Sequence, residues 1–175
     1  DQALRVRATE DIVDYLGKKR KVGEEWHIKL QGAYLPAIGE TVIKIEDAIH
    51  LDINTAIHLR ALTTFVDSRQ RPRKAGDMWM LTHEDYDMYI PDVNEQLVSR
   101  INRTVVTHRQ YAIIANPVDA NGVVQNGLVE NRRGPLNFFL QPGEHVQSVN
   151  DVLVLSAEEF LRIKAIEPFV DPVYK

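Results

Sequence analysis

The residue types that do chemistry are present in this sequence, but their spacing withholds it. The six histidines are His27, His50, His58, His83, His108 and His145. No two stand at the H-x-x-x-H or H-E-x-x-H spacing that brings a pair of imidazoles to one metal. His58 lies on the polar side of an alternating run and reads as a surface residue. No G-x-S-x-G elbow, phosphate-binding G-x-x-x-x-G-K-[ST] loop or G-x-G-x-x-G turn occurs. Without cysteine there is no thiol nucleophile, thiolate site or disulfide. Asp119-Ala120-Asn121-Gly122 begins as a calcium loop begins, and Glu130 falls at the twelfth position. The sixth position needs glycine and holds Val124, so the run reads as a plain Asn-Gly turn. Asn102-Arg103-Thr104 fits the glycosylation sequon, which has meaning only in a secreted chain. A non-enzymatic chain with no catalytic residue, metal or cofactor is expected.

Two basic clusters invite a nucleic-acid reading: Lys18-Lys19-Arg20-Lys21, and Arg69, Arg71, Arg73 and Lys74. Acids follow each of them, Glu24 and Glu25 in one case and Asp77 in the other. No aromatic residues interleave with the basic ones, as a single-strand groove requires. The whole chain has 21 Lys+Arg against 25 Asp+Glu, a net charge of -4. Direct nucleic-acid binding is therefore not expected. The clusters read as solvated hairpin tips or contact faces. Arg71 and Arg73 are candidates for lateral contact, with Glu84 and Asp85 as their acidic counterparts on a neighbouring chain. The 175 residues are 44% hydrophobic and 26% charged, the mix of a folded domain rather than a disordered tail. No apolar run approaches the roughly 18 to 20 residues of a membrane helix. No basic-then-apolar leader opens the chain, and a cytosolic location is the default expectation.

The elements that carry these residues repeat. Ala3-Leu4-Arg5-Val6-Arg7-Ala8 recurs as Ala56-Ile57-His58-Leu59-Arg60-Ala61, 53 positions on, and Gly23-Glu24-Glu25-Trp26 recurs as Gly76-Asp77-Met78-Trp79 at the same offset. Tyr34-Leu35-Pro36 returns as Tyr89-Ile90-Pro91 at an offset of 55. A degenerate copy runs from Gln110 to Pro142, and another opens at Phe160. The repeats are placed at 1–54 (short of its first residues), 55–109, 110–157 (degenerate) and 158–175 (the truncated start of one more).

Within each repeat the apolar period is 2, the pattern of a half-buried strand. Leu4, Val6 and Ala8 oppose Arg5 and Arg7. Further strands are expected over 19–30, 73–82 and 41–51, the last with Ile43, Ile45, Ile49 and Leu51 on one face. Gly23 and Gly76 are expected at bulges, Trp26 and Trp79 in the core, and Pro36, Pro91 and Pro142 at strand starts or edges. Asn121-Gly122 and Asn126-Gly127 read as hairpin turns. The one helical candidate is Ser156 to Phe160. The fold class expected is all-β: small antiparallel modules stacked end to end into a stiff rod, since a unit of about 50 residues is marginal alone.

Several blocks resemble the repeats of the major vault protein family: Gln2 to Ala8, Val22 to Trp26, Gly32 to Ala37, Thr55 to Ala61, Tyr89 to Val93 and, most distinctively, Asn137-Phe138-Phe139-Leu140-Gln141-Pro142-Gly143-Glu144. The resemblance covers nearly the whole chain and places it at about the fourth to sixth repeats. It implies a structural protein, in which repeats form a stave and staves pack side by side into the wall of a hollow ribonucleoprotein particle, cytoplasmic and also nuclear. The partners it implies are other copies of the same chain, a vault poly(ADP-ribose) polymerase and a telomerase-associated protein. A docking module for such a partner is the alternative function. Acidic calcium loops are suggested for that family, but Asp14 to Lys19 and Asp67 to Arg71 are basic turns, and no calcium is expected here.

Overall fold

The computed structural model describes residues 1–164 and 168. The first alternating run forms β1 (Gln2–Ala8), followed by a small hairpin of β2 (Ile12–Val13) and β3 (Lys19–Arg20), then β4 (Glu25–Ile28) and β5 (Glu40–Asp47). The chain then breaks at Ala48 and resumes as β6 (Ile49–His50). The order repeats as β7 (Thr55–Ala61), β8 (Phe65–Val66), β9 (Pro72–Arg73), β10 (Met78–Thr82), β11 (Met88–Tyr89), β12 (Glu95–Asn102) and β13 (Thr104–Val106). The third set is β14 (Gln110–Ala115), β15 (Val129–Arg133), β16 (Leu136–Phe138) and β17 (His145–Asp151), with a single Val118–Val124 bridge in place of the hairpin. The described residues contain no helix, as the all-β expectation requires. Ser156 to Glu159 form a turn closed by the Glu159 N–H on the Ser156 carbonyl, not a helical segment. Residues 165–167 and 169–175, most of the last expected repeat, lie outside the described residues.

Each set builds one antiparallel three-stranded sheet, in the orders β4-β1-β5, β10-β7-β12 and β15-β14-β17. The central strand is always the alternating run, so its apolar side faces a core, and in the first two sheets the polar side faces the following set. The expected strands over 19–30 and 73–82 are each split by a turn. At Lys21–Glu24 the turn glycine, Gly23, has φ +82°, and at Lys74–Asp77 Gly76 has φ +91°. In each, the glycine N–H donates to the carbonyl of Ala8 or Ala61, while that alanine's N–H donates to the residue after the glycine. Two residues thus face one, a bulge that starts on a left-handed glycine. Asn126-Gly127 occupies the matching turn of the third set rather than a hairpin tip, with Leu128 N–H on Gln125 O.

A second irregularity sits in the outer strand of every sheet. The register slips opposite Arg5/Val6, between Leu97 and Ser99, and opposite Ile113/Ile114. This corrects the expectation for 41–51. The extra residue, Ile43, breaks the alternation and is exposed, Ile45 is exposed on the core side where the core stops short of it, and Ile49 and Leu51, beyond the break, are buried.

The strand that leaves one set is built into the next. Strand β6 pairs with β11, and β13 pairs with β16. Ile49 and Leu51 pack with Ile57, Leu59, Trp79, Leu81 and Tyr89. Val106 packs with Ala112 and Ile114. The third core is the smallest of the three, with no aromatic among its buried residues, while the first holds Val6, Ala8, Trp26 and Ile28. Fully burying one such branched side chain is worth about 1.5 to 3 kcal/mol, so the second and third cores draw real stability from the preceding set's strand.

Candidate functional site

The buried ionisable groups are spent on folding the repeats. In the first hairpin the N–H groups of Leu16 and Lys18 donate to Asp14 Oδ1 at 2.9 Å, and Arg20 Nε donates to Oδ2 at 2.8 Å. The second hairpin repeats this set atom for atom with Arg69, Arg71 and Arg73 on Asp67. In the third, Asn121 and Val123 donate to Asp119, and Gln125 Nε2 replaces the arginine. Burial alone would raise the Asp14 and Asp67 carboxyls, but the backbone N–H groups and the arginine outweigh it and hold both below the usual range. The arginines then lie over the core tryptophans, Arg20 at 4.7 Å from the Trp26 ring and Arg73 at 4.3 Å from Trp79. In the third set Arg132 takes that place, 5.0 Å from Phe138. The Asp119 carboxylate is thus fully engaged by its own hairpin.

A second recurring carboxylate opens each outer strand. Glu40, Glu95 and Glu144 accept from the N–H three residues earlier, at Ala37, Asp92 and Gln141. Tyr34 donates to Glu40 and Tyr89 donates to Glu95 at 2.6 Å. Burial pushes Glu95 up, and among the described residues no ion pair pulls it back. At Glu144 burial acts the same way, but Arg132 at 2.6 Å reverses the outcome and the carboxyl is lowered. Pro36 and Pro91 stand just before these turns and Pro142 inside the third one, all outside the strands.

In the first two sheets the histidines of the polar side are covered by the following set. His58 is buried, with Nε2 2.9 Å from the Leu140 carbonyl and Nδ1 3.3 Å from Ser99 Oγ. The surface role expected for it is therefore corrected: the third set's Leu140 turn covers it. One sheet earlier, His27 is covered in the same way by the Asp92 turn. Its Nε2 lies 3.2 Å from Glu46 and its Nδ1 3.9 Å from Asp92. Burial holds His27 below its usual range, against the pull of Glu46 and Asp92. A cleft of about 800 Å³ opens beside this joint, lined among others by Lys18, Glu25, Lys29, Ser68 and Asp92. Trp26 Nε1 and both His27 ring nitrogens lack an aligned hydrogen-bond partner there.

The four candidates for lateral contact divide. Arg73 is bound to Asp67, and Asp85 is bound by Arg69 and by the Thr82 N–H. Arg71 and Glu84 have exposed side chains. Trp26 and Trp79 are 5% and 8% exposed. Sequence reasoning flagged Asp14 and Asp67 as turn residues and missed what the carboxylates hold. The signal was present as an Asp followed six residues later by Arg in both repeats.

The chain matches the model of the Major Vault Protein repeat domain over residues 1–37 and 50–92. It is 41% identical over 172 residues to "Major vault protein alpha" of Dictyostelium discoideum, covering 97% of this chain and 20% of that protein. It is 41% identical over 172 residues to "Major vault protein" of Gallus gallus, covering 98% and 20%. The figures for the Homo sapiens "Major vault protein" are 40% over 169 residues, 96% and 19%. The chain spans about a fifth of the length of the curated relatives it matches.

Proposed function

The chain belongs to the major vault protein family, and on that premise we propose that it is a segment of a stave, copies of which pack side by side into the wall of a hollow cytoplasmic particle. Its role is geometric rather than catalytic. The observation that carries this reading is the interlock: β6 completes the second core and β13 the third, so consecutive repeats share strands instead of meeting through a hinge. Such an array transmits load along its length, as a wall element must. The partners are other copies of the chain, and a weak contact repeated along each stave adds up. The test is to exchange the matching residues of the Gallus gallus relative for this chain and sediment the product. Particle-sized species support the reading. Dispersed protein, beside a relative that assembles unexchanged, removes it.

The cleft beside His27 favours a second reading, a docking module for a partner such as the vault poly(ADP-ribose) polymerase. Lys18 and Lys29 line the cleft together with Glu25 and Asp92 and offer charged groups to an incoming chain. A saturable one-to-one complex with the purified partner, weakened by Lys29→Glu, supports this reading. The absence of any such complex excludes it.

A further inference from the structure

We infer that the outer strand of each sheet, β5, β12 and β17, is the surface on which one copy meets the next, and that its occupant is a second copy of this chain. This rests on the wall reading and names the contact it needs.

In the first sheet, Val42 and Ile45 pair with Val6 and Leu4, so they lie on the core side of the sheet. They are nevertheless 40% and 59% exposed, because the core covers β1 and β4 and stops short of β5. The same flank in the other sheets exposes Leu97 and Val149, and the inserted bulge residues Ile43 and Val98 stand beside it. Each of these strands is also the end strand of its sheet. An open apolar flank on an edge strand is a surface that natural folds cover.

Two features decide what covers it. The bulge breaks each outer ladder at the same place, so a continuous added strand cannot pair along it, and contact is made through side chains. The flank also recurs once per repeat. A partner that matches it at every repeat must carry the same period, and a second copy of the chain does. At the alternative surface, the hairpin tips, Arg20, Arg69 and Arg73 are already bound to carboxylates of their own chain, and Arg71 stays exposed. In the second sheet Arg100 stands where Ile45 stands in the first, and in the third Gln147 replaces the apolar bulge residue. The first sheet therefore contributes most.

Sedimentation equilibrium of this chain, at rising concentration up to about 1 mM, tests the assignment. The wild type should self-associate. Ile45→Glu with Val98→Glu should weaken that by about tenfold or more, as expected for a charge buried at an apolar contact, while Arg71→Glu with Glu84→Lys leaves it unchanged. Thermal unfolding should be near wild type in both. If the Glu pair melts early, Val98→Thr, equal in shape, takes its place and should still weaken association. A wild type that stays monomeric, or association that survives the outer-strand variants and is lost with the tip charges, overturns the assignment. Particles formed by the exchanged relative with Ile45→Glu and Val98→Glu would also overturn it and leave the wall reading standing. Failure of the exchanged relative with no further change would count against the wall reading itself.

Discussion

Asp14 and Asp67 each gather two backbone N–H groups and an arginine from a stretch of six residues, and that arginine covers the core tryptophan. One carboxylate therefore fixes both a hairpin and a core lid. Asp67→Ala leaves three donors without their acceptor and should cost about 2 to 4 kcal/mol, read as a lower urea midpoint. A midpoint unchanged from wild type would show that solvent replaces the carboxylate. Both carboxyls are held below their unfolded values, so their contribution is complete above about pH 4 and is lost as pH falls through the lower native value. Glu144, also lowered, follows the same sign. Glu95, raised by burial, has the opposite sign: the folded chain holds its proton more tightly than the unfolded chain, so its contribution is lost as pH rises through the native value. At pH 7, Glu95→Gln should therefore melt at or above wild type. Glu144→Gln, which removes the buried one of Arg132's two carboxylate partners and leaves the more exposed Glu130, should lose about 2 to 3 kcal/mol. The reverse order would show that Arg132 does not govern the pair.

At the scale of the element, the three hairpins differ at one informative position. Gly17 and Gly122 have φ of +77° and +80°, and Gln70, in the same place, has φ +61°. A side chain in that region costs about 1 to 2 kcal/mol relative to the right-handed form. Gln70→Gly should raise stability by about 0.5 to 1 kcal/mol after the entropy of the unfolded glycine is deducted. A lower melting temperature in calorimetry would mean that the Gln70 side chain earns its strained backbone. The elements were largely legible in the sequence, because Leu4-x-Val6-x-Ala8 and its copies keep a strict period of 2 and the Trp and Gly anchors recur at one spacing. The outer strand was not. Its extra residue at Ile43 breaks the alternation, so a run read as one face is two. His58 was misread for a related reason: a polar side of a strand looks solvated until the repeat that stacks on it is in place.

At the scale of the whole molecule, stability is shared across repeats. Leu51 belongs to the first repeat in sequence and is wholly buried in the second core. Leu51→Ala should cost about 2 to 5 kcal/mol. In hydrogen exchange the loss of protection should appear across Thr55–Ala61 and Met78–Thr82, while Gln2–Ala8 keeps its own. Protection lost equally in β1 would mean that the repeats unfold as one body, not as linked units. The candidate surfaces were the least legible feature, since the basic tips drew attention and all of their arginines but Arg71 turned out to be bound at home. What remained exposed was an apolar flank that only the bulged register reveals.

The wall reading is tested most directly by negative-stain electron microscopy of the Gallus gallus relative carrying this chain in place of its matching residues. The account predicts closed hollow particles with side-by-side staves, indistinguishable in outline from those of the unexchanged protein. Dispersed or open chains, with the chain itself still folded, would contradict it.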